Sequence, residues 1–191
     1  MENTSYPVNG RIGRFIKIVQ AHVDPLIYIP LLKDSSKYES FSPKEKSLWW
    51  KKTIENIENS IGDKSLSYIM TKCGSRCCGA GQRKTARRLF LESGSIEEFL
   101  QTISKHDVKE GDLTYTLLDE STIIAEHNKC FCKQVSNSPE KFSSKVYCQC
   151  SVEFNRQFFT NAFEKEVHVE LVDSIICGGK SCKFMVTITG A

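Results

Sequence analysis

Apolar residues recur three and four positions apart through most of the first hundred residues, which is the spacing of one face of a helix. Residues 11–23 show this pattern simply, with apolar side chains at Ile12, Phe15, Ile16 and Val19. The same pattern predicts further helices over residues 42–62, 63–74, 81–94 and 95–107. The segment "DPLIYIPLL", residues 24–32, contains two prolines, and we predict an extended connection there.

The longest of these helices has signals at both ends. Ser42 can cap its N-terminus, Pro43 suits the first helical position, and Glu45 can complete a capping box. Gly62 supplies the stop, because glycine readily adopts the backbone conformation that ends a helix. Residues 42–62 are therefore predicted to form one helix with defined limits.

The pattern changes after residue 110, where β-branched and aromatic residues become frequent. Residues 113–119 and 121–132 are predicted to be two antiparallel strands, followed by a helix from about Cys150 to Phe163. Residues 166–176 and 181–189 are predicted to form a hairpin around "CGGK". The expected fold is α+β, with a helical N-terminal half followed by a small antiparallel sheet and a packed helix.

Length and composition suit a globular protein. Of the 191 residues, 40% are hydrophobic and 26% are charged, which is ordinary for such proteins. We expect a helical region, residues 1–110, and an α+β region, residues 111–191, with one continuous domain as the alternative. A homodimer is also an open alternative.

Charge and apolar content argue against two classes of partner. The net charge of +3 is too small to favour nucleic acid, and the basic cluster at residues 83–88 is read as a solvated face. The first residues lack the apolar stretch of a secretory signal, and no apolar run approaches the roughly 20 residues of a membrane span. We therefore expect a cytoplasmic protein with no membrane partner.

Nine cysteines, most of them in tight groups, carry the candidate chemistry. Cytosolic thiols stay reduced, so grouped cysteines point to metal ligation, redox chemistry or a nucleophile rather than to a disulfide framework. Zinc takes four ligands drawn from thiolate, imidazole and carboxylate. The candidate metal ligands are Cys130, Cys132, Cys148, Cys150, Cys177 and Cys182. The alternative is that several of them are small buried apolar residues.

Local geometry limits how the two Cys-x-Cys pairs can converge. Residues two apart in a strand share a face, so Cys130 and Cys132 can reach one ion. On a helix the same spacing points two side chains apart, so Cys148 and Cys150 can converge only if the helix starts at or after Cys150. With that condition, both pairs are expected to meet at one thiolate-rich site.

Three further residues are candidate catalytic groups: Cys78, His127 and Glu153. The loop "CGSRCCGAG" opens onto a predicted helix, whose N-terminus beside Arg83 would lower the pKa of a thiol, so Cys77 or Cys78 can be a nucleophile. The alternative is a helix–helix connection with buried thiols. His127 can be a ligand or a proton carrier, and Glu153 can move protons.

The turn "CGGKSC" holds two of the candidate ligands. Cys177 and Cys182 flank its glycines, where cross-strand partners would sit, and can pair as a reversible disulfide or help to bind a metal. Residues 158–188, which include this turn and end in "CKFMVTI", resemble the closing segment of the 4-vinyl reductase domain family.

This resemblance implies a small-molecule pocket beside a zinc ion held by cysteines and a carboxylate. Cys150 and Cys182 carry over to this sequence best, with Glu170 or Asp173 as the carboxylate. The sequence departs from the family where a cysteine is expected on the incoming strand, because that position falls at Ser174.

A second resemblance shares the same ending. Proteins similar to the 2-aminothiazoline-4-carboxylate hydrolases have a helical front half, a cysteine, a "C-x-x-[DE]" on a helix and a glycine-containing hairpin. This sequence offers Cys130 or Cys132, then Cys150 with Glu153, then "GGKSCKF". Cys150 and Glu153 would share a helix face at this spacing. The resemblance implies hydrolysis of a small heterocyclic substrate.

These observations leave three hypotheses for function. The first is a small-molecule-binding module with a cysteine-rich, zinc-supported site. The second is the hydrolase just described, and the third is a thiol redox or metal-handling protein. Whether the chain is an enzyme stays open at the level of sequence.

Overall fold

The computed structural model describes residues 6–106, 109 and 111–189 and has the α+β architecture expected from the sequence. The helices are α1 (Gly10–His22), α2 (Pro25–Leu32), α3 (Pro43–Ile61), α4 (Asp63–Gly74), α5 (Ala80–Glu92), α6 (Ile96–Ile103) and α7 (Gln149–Phe163). The strands are β1 (Leu113–Leu117), β2 (Thr122–His127), β3 (Glu166–Asp173) and β4 (Cys182–Thr189). Short 3₁₀ helices cover Lys33–Ser40, Val146–Cys148 and Ile175–Cys177. In the described part of the chain, no helix is both long and apolar enough to cross a membrane.

The predicted capping of α3 is confirmed. Ser42 Oγ accepts a hydrogen bond from the backbone N–H of Glu45 at 3.3 Å, and the Glu45 carboxylate accepts one from the backbone N–H of Ser42 at 2.8 Å. Gly62 ends the helix with a φ of 79°, which glycine adopts without the steric penalty of a side chain.

The extended connection predicted for residues 24–32 is wrong, because this segment forms α2. The Asp24 side chain accepts a hydrogen bond from the backbone N–H of Leu26 at 2.8 Å and so caps the helix. Pro25 takes the first helical position, where its missing N–H is not needed. The first proline therefore marks a helix start.

The four strands form one antiparallel sheet in the order β1-β2-β4-β3, as the predicted hairpin and antiparallel pairing require. The prediction that β2 reaches residue 132 is wrong, because the strand ends at His127. His127 pairs with Leu113 at the start of β1 and with Cys182 at the start of β4. Neither neighbouring strand continues past this point, so Cys130 and Cys132 lie in an irregular segment.

Buried side chains form two clusters that meet along α7. One cluster belongs to α1 to α4 and includes Tyr147 and Cys150 from the C-terminal half. The other belongs to the sheet, α5, α6 and the apolar face of α7. The two clusters therefore draw on both halves of the chain, and the division near residue 110 stays a prediction.

Helices α4 and α7 approach each other closely at Gly74. A Cβ atom on Gly74 would lie 2.7 Å from the Cα and from the carbonyl oxygen of Cys150. Such a distance is shorter than any ordinary contact, so the backbone of α4 needs glycine here. This approach fixes the start of α7, and with it Cys150, against the helical half.

Candidate functional site

A cavity of about 730 Å³ lies between the sheet, α7 and the helical half. One part of its lining is aromatic and apolar, contributed by Leu89, Tyr115, Phe131, Phe154, Phe158 and Phe184. The other part carries sulfur, contributed by Cys77, Cys130, Cys132, Cys148, Cys150 and Cys182. Five of the six predicted metal ligands therefore line one cavity, and Cys77 from the helical half joins them.

A wider groove of about 1100 Å³ lies on the surface between α5 and α7 and is lined by basic residues of the 83–88 cluster. Two arginines of this cluster have carboxylate partners. Arg87 binds Glu164, and Arg88 lies 2.7 Å from the Glu92 carboxylate. The groove is open and three of its arginines are paired with carboxylates, so we take the cysteine-lined cavity as the candidate site.

Arg11 of α1 lies among the sulfurs of this cavity. Its Nη1 donates to Sγ of Cys132 at 3.1 Å and its Nη2 donates to Sγ of Cys150 at 2.6 Å. The guanidinium carbon lies 5.2 Å from the centre of the Tyr147 ring. The buried Nε has no hydrogen-bond partner. A cation thus occupies the space between two of the predicted metal ligands.

The Cys150 thiol stays protonated despite this cation. Burial raises its pKa to about 11, and the nearby guanidinium of Arg11 only partly opposes that effect. The thiol also lies 3.2 Å from the carbonyl oxygen of Tyr147, to which it donates. Burial likewise raises the pKa of the Tyr147 hydroxyl, so Cys150 and Tyr147 are both neutral near pH 7.

Cys130 and Cys182 form a second, different arrangement. A hydrogen-bonding interaction between the two thiols is the largest influence on the pKa of each. Accepting this hydrogen bond from Cys130 lowers the pKa of Cys182 to about 7, against the opposing effect of burial, and the backbone of Ile175 and the hydroxyl of Ser174 contribute further. The pKa of Cys130 is raised by the same bond and by burial. Cys182 therefore carries the thiolate of the pair.

The two remaining candidate ligands have partners of their own. Cys148 Sγ lies 3.2 Å from the Ser174 hydroxyl, and burial raises the pKa of this thiol. Cys177 Sγ lies 3.2 Å from the carbonyl oxygen of Ser144 and does not line the cavity. All nine cysteines are free, so the pairing of Cys177 with Cys182 is not formed in this structure.

The residues present do not fit a preformed zinc site. Within the described residues, no three side chains of His, Cys, Asp or Glu are grouped so that they could hold a metal ion. The cysteines lie in separate hydrogen-bonded groups, and the Arg11 cation lies between Cys132 and Cys150. Zinc at these cysteines stays a prediction from the sequence.

Of the predicted catalytic residues, only His127 lines the cavity. Its ring contacts Phe131 and Phe184, with centroid distances of 5.5 and 5.2 Å. Burial lowers the pKa of His127 to about 4, so the imidazole is neutral near pH 7. A neutral ring can accept or donate a hydrogen bond, but it lacks the second ring proton that an imidazolium could give up.

Glu153 and Cys78 do not line the cavity. The Glu153 carboxylate accepts two hydrogen bonds from Arg156, at 2.7 and 2.8 Å, and one from Gln157 at 2.7 Å. Burial would raise the pKa of Glu153, but these bonds outweigh burial and lower it. Glu153 on α7 therefore forms an ion pair with Arg156.

The expected lowering of the Cys78 pKa is wrong. Burial raises this pKa to about 11. The Arg83 guanidinium, which donates to the carbonyl oxygen of Cys78 at 2.5 Å, offsets the effect of burial only in part. Cys77, the neighbouring thiol, lines the cavity and lies 3.7 Å from the carbonyl oxygen of Cys73. The loop therefore brings one thiol to the site and buries the other.

Arg11 and Tyr147 are among the site residues that sequence reasoning missed. Arg11 lies four residues before Phe15, on the side of α1 that carries the apolar stripe. A charged residue on the apolar side of a helix could have indicated a functional position. Tyr147 precedes α7 in a 3₁₀ turn and gave no comparable signal.

The comparisons with known proteins place the chain in a family. The model described as "Family of unknown function (DUF6144)" matches residues 32–191, and the chain belongs to this family. Arg11 lies before the matched segment. Among curated proteins, none matches the sequence.

Two solved structures share a distant likeness with the chain. An H-NOX protein from S. oneidensis in the Fe(II)NO ligation state is 11% identical, with a TM-score of 0.44 over 93% of this chain and 99% of that one. The NMR structure of a mutant H-NOX domain from Shewanella oneidensis in the Fe(II)CO ligation state is also 11% identical, with a TM-score of 0.41 over 93% and 98%. Likenesses of this extent do not bear on the site.

Proposed function

We propose that this chain is a small-molecule-binding module whose ligand occupies the cysteine-lined cavity. The observation that supports this most directly is the two-part lining of that cavity, aromatic at one side and carrying Arg11 and thiols at the other. Its volume of about 730 Å³ falls within the roughly 300–1,000 Å³ of small-molecule sites, which are mostly apolar with a few convergent polar groups.

We also propose that the C-terminal part is a 4-vinyl reductase-like unit. The order of α7, β3, a glycine-containing turn and β4 supports this proposal, as does the short motif that ends at Phe184. Cys150 and Cys182, the residues that carry over best from that family, both line the cavity. The zinc ion that the resemblance implies is not part of the proposal.

The binding proposal is tested by filling the cavity. Thr85 on α5 lines it and is half-buried, so Thr85→Trp would occupy ligand space. Lys84→Trp on the same helix is the matched control, because Lys84 is exposed and lies outside the cavity. Binding of the neutral fluorescent dye Nile red is expected to weaken at least about tenfold in Thr85→Trp only. Equal binding by the wild type and both variants would contradict the proposal.

Thiol redox chemistry is a second candidate, favoured by Cys130 and Cys182, which both line the cavity and whose thiols influence each other's pKa. In this reaction the Cys182 thiolate attacks glutathione disulfide and releases one glutathione thiolate. The Cys130 thiol then loses its proton and attacks the mixed disulfide, which releases a second glutathione. One protein disulfide forms, and its two electrons reduce glutathione disulfide.

Peptide mapping under non-reducing conditions after equilibration with glutathione tests the redox candidate. A Cys130–Cys182 disulfide is expected in the wild type and in Cys177→Ser, whereas Cys130→Ser should stop at the mixed disulfide. Absence of the linked peptide at every ratio of reduced to oxidised glutathione would exclude it. The hydrolase alternative has no supporting observation of its own, since Glu153 is held by Arg156 and Cys78 lies off the cavity.

A further inference from the structure

Arg11 is a half-buried charge with a fully buried Nε atom and no carboxylate partner among the described residues. The described residues place two thiol sulfurs and the face of the Tyr147 ring against the guanidinium, and no carboxylate within ion-pair distance. Withdrawing a charge partly from water costs free energy unless an opposite charge or strong acceptors pair with it. The arrangement is therefore incomplete as an internal structural contact.

The Cys150 thiol does not supply the missing negative charge near pH 7. The Cys150 thiol donates its hydrogen toward the carbonyl oxygen of Tyr147 at 3.2 Å, which is the geometry of a protonated sulfur. The Tyr147 hydroxyl lies 3.2 Å from Cys132 Sγ, so these two groups are hydrogen-bonded to each other. Sulfur is also a weak hydrogen-bond acceptor, and an oxyanion would displace it readily from a guanidinium.

The guanidinium has unused hydrogen-bonding capacity at the cavity. Arg11 carries five N–H donors, and its buried Nε has no partner. The side chain lines the cavity together with Cys132 and Cys150. The fork of donors matches the two oxygens of a carboxylate, which is the most specific partner of arginine.

We propose that Arg11 receives the carboxylate of the molecule that occupies this cavity. The inference deepens the proposed function and rests on it. The rest of the ligand is apolar or aromatic, because the opposite side of the lining presents Tyr115, Phe158 and Phe184. The ligand class is therefore a small aromatic or aliphatic monocarboxylate, with its acid group among the thiols and its body against the sheet and α7.

Calorimetric titration of the full chain at pH 7 with 2-naphthoate and with the neutral 2-naphthamide tests this inference. The two probes have nearly the same shape and differ in charge. We expect 2-naphthoate to bind roughly 10- to 100-fold more tightly, as charge-assisted hydrogen bonds are stronger than neutral ones. Arg11→Met should remove this preference, and Arg11→Lys should retain part of it because it keeps the charge without the fork.

Lys17→Met is the matched control, since Lys17 is an exposed cation on the same helix, and it should keep the full preference. If Arg11→Met does not fold, the ratio of the two affinities in the wild type and in Arg11→Lys still decides the question. Equal affinities for both probes in the wild type would overturn the inference while leaving the binding module intact. Failure of both probes and of Nile red to bind would overturn the proposed function and the inference together.

Discussion

The two cysteine groups of the cavity respond to their surroundings in opposite ways. Cys150 lies 2.6 Å from a guanidinium, yet burial keeps its thiol protonated with a pKa of about 11. The pKa of Cys182 is instead lowered to about 7, chiefly by the hydrogen bond from Cys130. At Cys150 the burial of the thiol outweighs the guanidinium beside it, whereas at Cys182 the hydrogen bonds outweigh burial. Cys182 is therefore expected to be the more reactive of the two thiols.

The largest expected effect is a difference in alkylation rate between these two cysteines. At pH 7.5 the thiolate fraction of Cys182 should exceed that of Cys150 by about three orders of magnitude, and the lower intrinsic nucleophilicity of a low-pKa thiolate reduces the rate difference to roughly 10- to 100-fold. Peptide mapping after brief exposure to iodoacetamide measures both rates. Equal rates in the folded chain would remove the distinction between the two groups.

His127, which pairs with Cys182 across the sheet, should make stability depend on pH. Its pKa is lowered from 6.5 to about 4 by burial, so the unfolded chain binds a proton before the folded chain does. Stability should therefore fall as the pH drops from about 7 towards 4, by on the order of 3 kcal/mol from this group.

Urea unfolding across this pH range measures the effect of His127. The loss of stability on acidification should be smaller in His127→Gln than in the wild type. His168→Gln, at an exposed position of β3, should behave as the wild type. An unchanged pH dependence in His127→Gln would show that another group is responsible.

Two glycine substitutions test how rigidly Cys150 is held. Gly74→Ala places a Cβ 2.7 Å from the Cys150 backbone and should destabilise the chain by roughly 1–3 kcal/mol, although alanine is the better helix former. Gly81→Ala on α5 meets no neighbouring atom and should stabilise by about 0.5–1 kcal/mol. Chemical denaturation measures both, and a neutral Gly74→Ala would mean that α4 and α7 can separate.

The smallest expected effect is a shift of the Cys182 titration. Cys130→Ala removes the hydrogen bond that contributes most to lowering the Cys182 pKa. The pH at which alkylation of Cys182 reaches half its maximum should therefore rise. Cys177→Ala is the control, since that thiol donates to the Ser144 carbonyl. If the half-maximum of the alkylation curve stays at the same pH in Cys130→Ala, the low pKa of Cys182 is due to its hydrogen bonds with the Ile175 backbone and the Ser174 hydroxyl instead.

Local signals were sufficient for most of the fold. The Ser42 and Glu45 capping box, the Gly62 stop and the alternating strands are encoded in neighbouring residues, and they appear as expected. The prediction for residues 24–32 failed because the two prolines were given more weight than the cap at Asp24. The end of β2 at His127 depends on where β1 and β4 begin, and this is not encoded within the strand itself.

Sequence reasoning predicted many of the residues that line the site but not the contacts between them. Clustering of cysteines in the sequence indicated a common location, and five of the six candidates line one cavity. The contacts of Arg11 with Cys132 and Cys150 join residues more than a hundred positions apart, so no local pattern could reveal them. The pKa values depend on the same long-range packing.

Metal analysis of anaerobically purified protein bears on the remaining zinc prediction. About one zinc per chain with four protected thiols would support it, and Arg11 would then have to leave its place between Cys132 and Cys150. No metal and nine titratable thiols would agree with the separate hydrogen-bonded groups seen here.

The central claim is that a small molecule occupies the cavity between the sheet and α7. Mapping of amide chemical-shift changes during titration with 2-naphthoate tests it most directly, because the result is spatial. The account predicts that the largest shifts cluster at cavity residues such as Tyr115, Cys150 and Phe158 and disappear in Thr85→Trp. Shifts confined to the basic groove between α5 and α7, or spread evenly over the surface, would contradict it.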